Sequence, residues 1–249
     1  MVKTLVLGAS GATGKQVCTM LHGEAHPLHL VVRQSSVLPT SLTDAPNVTV
    51  HRVDFLGMSD EAVADLVGTV DAVVSCLGHT LSLSGMYGAP RDLVTQSVRR
   101  IVTAARASHR RDAPPLKLVL MNTSGNRNPA EDKQVGLAER AMLGIIRTAV
   151  PPHADNEGAA AFLRSNVPAD DSAVQWVVVR PDSLVDEDTP SGYEAHPSPL
   201  QSAIFGSGKV SRANVGRFMA DLITKPTLWE KWANRMPILY NKDQAKTEL

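Results

Sequence analysis

The sequence predicts an α/β fold, a doubly wound and mostly parallel sheet with helices on both faces. Three observations predict it. The chain opens on an apolar, valine-rich run, Val2 to Leu7, that leads straight into glycines at positions 8, 11 and 14 and then a helical pattern from Lys15 to His22. Short apolar runs alternate with helical stretches through the first two-thirds, as parallel strands joined by crossover helices require. No repeat, low-complexity segment or internal linker divides the 249 residues, so a single domain is expected over 1–249.

Taken in order, the opening strand, glycine turn and helix start form a cradle for phosphate. Gly8 permits the tight turn, Gly11 lets a diphosphate approach the backbone, and Gly14 lets the helix pack close to the strand. The free N–H groups and dipole of the helix face the anion. A Gly-Lys-Ser/Thr nucleotide loop is not matched, because Gln16 follows Lys15. A dinucleotide site is therefore expected. Leu28 to Arg33 is the second strand, whose end lies beside the adenosine ribose in a dinucleotide fold. An acidic residue there would repel a 2′-phosphate, whereas Arg33 can pair with one through two charge-assisted bonds, so NADP(H) is favoured over NAD(H). The other reading of Arg33 is a solvent-facing strand end.

Gln34 to Asn47 is a Ser-, Thr- and Pro-rich loop with room for a short turn of helix, and Asn47 to Val53 alternates as a third strand. Asp54-Phe55 follows where a carboxylate would accept the adenine amino group, although Asp54 reads equally as a turn residue. Ser59 caps a helix with Asp60 and Glu61 in its first turn. The fourth strand, Val70 to Cys76, ends in Leu77-Gly78-His79-Thr80, across the crevice where strand order reverses. Gly78 would let the backbone run close to a ribose. Leu81 to Pro90 reads as a loop and Arg91 to His109 as a long packed helix. The fifth strand, Leu116 to Met121, delivers Asn122-Thr123-Ser124-Gly125 to the same crevice.

A helix is expected from its cap at Asn128, with Pro129 at the first position, to Val150, and a second from His153 to Leu163. The first reads either as a cover on the pocket or as a face for self-association into a homodimer. Ala173 to Arg180 is the sixth strand, closed by Pro181. Loops fill Asp182 to Pro199. A short strand near Ala203 to Phe205, a helix over Ser211 to Thr224 and an edge strand over Pro237 to Tyr240 complete the chain.

Bulk properties narrow the function. Hydrophobic residues at 43% and charged residues at 20% are ordinary for a globular chain with an ample core. Net charge is zero, with no basic stripe, which disfavours nucleic acid as a partner. No apolar stretch is long enough to span a bilayer, and the first residues already read as strand rather than signal peptide. Cys18 and Cys76 form neither a disulfide framework nor a metal motif, and the eight histidines are scattered, so a reduced, metal-free cytoplasmic protein is expected.

The ordered set of Gly8-Ala9-Ser10-Gly11-Ala12-Thr13-Gly14, Arg33, Asp54-Phe55 and Arg180-Pro181 resembles the atypical short-chain dehydrogenase/reductases, the NmrA-like and NAD(P)H-flavin-reductase-like group. Ser207 to Ala220 resembles the segment before that group's penultimate helix. The resemblance implies a Rossmann-like fold with a cofactor half over 1–125 and a substrate-side half over 126–249 that forms a small pocket region. It places Gly8, Ser10, Gly11, Ala12, Thr13 and Gly14 around the pyrophosphate, Arg33 on the 2′-phosphate, Asp54 and Phe55 on adenine, and Leu77 and Gly78 on the adenosine ribose. It puts the nicotinamide end near Asn122 to Ser124 and Pro181 to Leu184.

The chain departs from the wider family on the helix before strand six. Most members carry Tyr, three residues, then Lys there, whereas this helix reads Pro152-His153-Ala154-Asp155-Asn156-Glu157-Gly158. None of Tyr87, Tyr193 and Tyr240 has a Lys four positions later. Alcohol–ketone chemistry by the usual route is disfavoured, while a flavin- or quinone-type acceptor needs no dedicated Tyr. Ser124 is a candidate to hydrogen-bond a substrate carbonyl, and His153 a candidate proton donor that reads equally as a capping residue. Asp155 and Glu157 read as acids that stabilise their own helix dipole. The expected function is NADPH-dependent reduction of a small carbonyl, quinone or flavin-type molecule. The alternative is a non-catalytic NADP(H)-binding redox sensor acting through a protein partner, and a cofactor-holding isomerase, epimerase or lyase ranks third.

Overall fold

The computed structural model describes residues 1–79, 87–109, 113–134, 136, 142, 144–145, 150–202, 206 and 208–242. The chain runs β1 (Thr4–Leu7), α1 (Ala12–Gly23), β2 (Leu28–Val32), α2 (Thr40–Thr43), β3 (Val48–Arg52), a 3₁₀ turn (Phe55–Gly57), α3 (Asp60–Gly68) and β4 (Ala72–Ser75). It continues through α4 (Leu93–Ser108), β5 (Leu116–Met121), α5 (Pro151–Asn166), β6 (Val174–Pro181), β7 (Ser183–Val185) and β8 (Tyr193–His196). It closes with β9 (Lys209–Ser211), α6 (Arg212–Thr224), α7 (Pro226–Trp232) and β10 (Ile238–Asn241).

Eight strands form one sheet in the order β3-β2-β1-β4-β5-β6-β10-β8, parallel except for the β10–β8 pair. The α/β, mostly parallel architecture expected from the sequence is therefore present. Strand residues alternate between two apolar layers. Leu5, Leu7, Val73, Leu118 and Val178 join the α3, α4 and α5 side chains, while Val6, Val74, Val119 and Val177 join those of α1, α6 and α7. Covered on both faces, the central strands read as continuous apolar runs rather than polar–apolar alternation. Each fully buried Val or Leu contributes about 1.5–3 kcal/mol by leaving water, so the helices are held mainly by these two layers. Local punctuation agrees with the sequence: Ser59 Oγ accepts from Ala62 N at 3.2 Å to cap α3, and Ser211 Oγ accepts from Asn214 N at 3.0 Å to cap α6.

The C-terminal third departs from expectation. The strand expected at the edge near Pro237 to Tyr240 is β10, which lies inside the sheet between β6 and β8. The residues read as loop from Asp182 to Pro199 hold β7 and β8, and β7 pairs with β9 in a separate two-stranded ribbon. These strands are three or four residues long and owe their conformation to distant partners. A further helix, α7, begins at Pro226 and buries Trp229 and Trp232. The helix expected from Asn128 does not form at its start. Asn128 O accepts from Glu131 N and Asp132 N and its Oδ1 from Ala130 N, which makes a single turn, with no helix through 134. Glu131 instead pairs with Arg235 and Asp132 with Arg180, so both acids are drawn into tertiary contacts. Met142, Gly144 and Ile145 are helical, while most of 135–149, and the strand expected near Ala203 to Phe205, lie outside the described residues.

Arg180 is fully buried. Its guanidinium donates to both Asp132 carboxylate oxygens at 2.7 and 2.9 Å, and to the carbonyls of Met236, Asn126 and Pro197 at 2.7, 3.0 and 3.2 Å. All the guanidinium's donor capacity is used, which is what lets an unscreened cation sit in this interior.

Candidate nucleotide-binding crevice

Chain order reverses at β1, which has β2 on one side and β4 on the other. A cavity of about 490 Å³ opens at the carboxyl ends of these strands, the place where open parallel sheets collect ligands.

The floor is the turn after β1. Gly8 has φ +75°, and a Cβ there would stand 2.7 Å from Cys76 O, so β1 and β4 can approach only through a glycine. Gly14 does not line the cavity. It works from behind, because a Cβ on it would lie 2.1 Å from Gly8 O and would push α1 off the turn. Gly8, Ser10, Gly11, Ala12 and Thr13 do line it. Gly11 is the N-cap of α1, no side chain caps the helix, and its first turn holds no acid. Unpaired helical N–H groups and a positive dipole end thus border the cavity, an arrangement suited to an anion. Ser10 Oγ reaches Ser36 Oγ at 3.1 Å and ties this turn to the loop after β2.

Arg33 sits exposed at the end of β2 and lines the cavity. Asp54 and Phe55 line it from the end of β3. Asp54 Oδ1 accepts from Leu56 N at 3.2 Å, so its carboxylate also caps the 3₁₀ turn, and Phe55 is buried beneath the Arg100 guanidinium. Leu77 and Gly78 line it from the end of β4, and Asn122 from the end of β5. Asn122 is locked by its neighbours. Its Nδ2 donates to Asn156 O at 2.9 Å, and its Oδ1 accepts from Thr123 N at 2.9 Å and Asn126 Nδ2 at 3.1 Å.

The two residues singled out for chemistry stand apart from this lining. Ser124 is buried and donates from its hydroxyl to Asp182 Oδ1 at 3.3 Å, while Asp182, its carboxyl pKa raised by burial, also accepts from Ser183 N and Gly208 N. His153, in the first turn of α5, packs against Gly125, with its Nε2 3.4 Å from Glu157 Oε1 and without hydrogen-bond geometry. Leu184, expected near the nicotinamide end, also lines the cavity, whereas sequence reasoning gave no role to three other residues of the wall, His79, Asn156 and Arg212. His79 Nε2 lies 2.8 Å from Asp155 Oδ2, with both side chains buried. Asp155 does not serve its own helix. Its oxygens accept from Val94 N and Thr95 N at 2.8 and 2.9 Å, at the start of α4. The signal for His79 was its place just past β4, but the 76 residues separating it from Asp155 hid the pairing.

Arg212 opens α6 and pairs with Asp186 at 2.7 Å. Cys76 also lines the cavity, but burial drives its thiol pKa upward, which removes it as a nucleophile. Helix α5 contains neither Tyr nor Lys. Among the described residues, no group of three or more His, Cys, Asp or Glu could hold a metal ion, and no helix is long and apolar enough to cross a membrane.

The profile of the NAD(P)H-binding family matches residues 8–226. No curated protein matches the sequence at a significant level. Among solved structures, a wide-type short-chain dehydrogenase/reductase from Veillonella parvula in complex with NADP is similar over 100% of this chain and 98% of its own, with 14% identity and a TM-score of 0.67. The oxidoreductase ylbE from Lactococcus lactis is similar over 98% and 95%, with 13% identity and a TM-score of 0.65. ChuY, an anaerobillin reductase from Escherichia coli, is similar over 97% and 98%, with 18% identity and a TM-score of 0.63. At such identities the likeness establishes the fold.

Proposed function

Because this chain belongs to the NAD(P)H-binding family, we propose that it is an NADPH-dependent reductase that delivers a hydride to a small carbonyl, quinone or flavin-type acceptor. The observation that carries the reading is the crevice at the strand reversal, with the uncapped start of α1 on one side and the Arg33 side chain on another. The coenzyme supplies the hydride when bound, and the protein supplies position and charge. The turn from Gly8 to Thr13 offers N–H groups to the diphosphate. Arg33 is the partner for a 2′-phosphate and makes no ion pair among the described residues. This reading gives Asp54 and Phe55 to adenine, Leu77 and Gly78 to the adenosine ribose, and Asn122 to the nicotinamide end, all of which line the cavity. NADP(H) is preferred to NAD(H) because a guanidinium, rather than a carboxylate, ends β2.

The absence of Tyr and Lys from α5 favours a second reading, an NADP(H)-binding redox sensor that signals through a protein partner. Calorimetric titration with NADPH, NADP⁺ and NADH separates the two when combined with turnover of a flavin, quinone and enone panel. The reductase binds NADPH more tightly than NADH and consumes it with at least one acceptor. The sensor discriminates NADPH from NADP⁺ and consumes neither. No association with any nicotinamide coenzyme would overturn both.

A further inference from the structure

We propose that the Asn156 side chain holds the carboxamide of the coenzyme's nicotinamide ring and so fixes the ring's rotation in the crevice. This role rests on the coenzyme reading of the proposed function and is common to the reductase and the sensor. The residues given to adenine and the 2′-phosphate stand at the ends of β2 and β3, on one side of β1. On the other side the wall runs through β4 to the end of β5, where Met121 and Asn122 line the cavity. That end lies three strands from β2, roughly 14 Å at about 4.8 Å per strand. An extended dinucleotide anchored at Arg33 and at the start of α1 therefore brings its nicotinamide to β5. Asn156, in the second turn of α5, borders the cavity there. Its main-chain carbonyl accepts from Asn122 Nδ2 at 2.9 Å and from Asn126 Nδ2 at 3.2 Å.

Two side-chain amides belong to this wall, and they are not equivalent. Asn122 spends its oxygen on Thr123 N and Asn126 Nδ2 and its nitrogen on Asn156 O. The Asn156 carboxamide makes no hydrogen bond among the described residues, so its donor and its acceptor are both available. A primary amide is self-complementary, and the nicotinamide carboxamide offers the C=O and N–H that such a side chain answers in one plane. Asn156 is also held in advance. The residue before it is pinned to α4, since the Asp155 carboxylate accepts from Val94 N and Thr95 N and its carbonyl from Thr95 Oγ1 at 2.9 Å. Little backbone ordering is left to oppose binding. Leu77, Leu93, Met121 and Leu184 line the same cavity, and an apolar wall that sheds water strengthens an amide pair inside it. Asn122 is then a positioning residue, which acts on the coenzyme through Asn156. A ring held by its carboxamide does not roll about its glycosidic bond, so one face of C4 is presented for transfer.

Calorimetric titration of the full chain with NADP⁺ and with its 3-acetylpyridine analogue tests the pairing. The analogue carries methyl in place of the carboxamide nitrogen, so it keeps the carbonyl and loses the N–H donors. Wild-type protein should bind it about tenfold more weakly than NADP⁺, the scale of one hydrogen-bonding group left unpaired. In Asn156→Leu the gap should close, while 2′-phospho-ADP-ribose, which has no nicotinamide, binds both proteins alike and reports an intact site. The side-chain amide ¹⁵N–¹H signals of Asn156 should move with NADP⁺ and stay in place with 2′-phospho-ADP-ribose. That measurement decides the matter on wild-type protein if the variant fails to fold. Equal wild-type affinity for NADP⁺ and its analogue, a gap that survives in Asn156→Leu, or amide signals indifferent to the nicotinamide overturns the role and leaves the coenzyme reading intact. A protein that binds neither NADP⁺ nor 2′-phospho-ADP-ribose overturns the coenzyme reading, and the role of Asn156 with it.

Discussion

Arg33 and Arg212 both border the crevice, but they arrive from different elements and should answer to different parts of a coenzyme. Helix α6 packs on α1 so closely that a Cβ on Gly216 would stand 2.5 Å from Gln16 Cβ. Arg212 and Ala12 both line the crevice, so Arg212 borders the end of α1 that the proposed function gives to the diphosphate. Diphosphate is common to NADH and NADPH, whereas the 2′-phosphate is not. Arg33→Ala should therefore weaken NADPH about tenfold or more, the scale of a lost charge-assisted hydrogen bond, and leave NADH unchanged. Arg212→Ala should weaken both by similar factors. Titration of each variant with each coenzyme checks the pair, and equal losses at Arg33 would remove the basis for NADP preference. At this scale the sequence was informative wherever a residue reports on its own backbone. Gly8, Gly14 and Arg33 are of that kind. Ser124 and Asp155 are not, because the partners that occupy their side chains, Asp182 and the α4 amides, lie far away in the chain.

Helix α4 begins without a cap of its own, since the Asp92 carboxylate accepts from the Gln96 side chain and from no backbone N–H of the first turn. Asp155 from α5 supplies the missing acceptor and thereby fixes two helices and the end of β4 to one another. Asp155→Ala leaves Val94 N and Thr95 N without their acceptor in a buried setting, which should cost about 3 kcal/mol. Urea titration would show a lower midpoint at an unchanged slope; an unaltered midpoint would mean water replaces the carboxylate at no cost. Elements were legible where periodicity and punctuation are local, as in β1 to β6, α3 and α5. Strand β8 was not, since Tyr193–His196 becomes a strand only by pairing with β10. The turn at Asn128 carries genuine helix-start chemistry, yet Asp132 is worth more to Arg180 than to a continuing helix.

Across the whole molecule, two apolar layers clasp the sheet, and the parallel pair β2–β3 at its edge carries a half-buried polar contact. His29 Nδ1 and His51 Nε2 lie 2.9 Å apart with stacked rings. Burial lowers both pKa values below the ordinary 6.5, and for His29 the charges of Lys3 and His51 add to the effect. In this range the unfolded chain binds more protons than the folded one, so stability rises with pH. The pair is neutral in both states above about pH 7, and stability falls as pH drops through 6.5 toward the lowered values. Melting temperatures between about pH 7.5 and about pH 5 should show that fall in the wild type and a shallower one in a His29→Gln/His51→Gln variant. Parallel slopes would assign the acid sensitivity to other groups. The crossover pattern that builds this sheet was plain in the sequence, whereas its C-terminal margin was not, because β10 inserts between β6 and a strand that precedes it in the chain.

Arg180 ties the turn between Asn126 and Asp132 to the segment that leads into β10. A fragment stopping at Thr224 would retain every side chain assigned to the coenzyme, yet it would forfeit β10 and the Met236 carbonyl that receives Arg180 Nε. Arg180 would keep Asp132 but leave its buried Nε–H without an acceptor, and β6 would lose the strand beside it, so the chain is not cut at Thr224 without cost. Such a fragment should emerge as aggregated or protease-labile material, and a soluble truncation with well-dispersed proton resonances would prove otherwise.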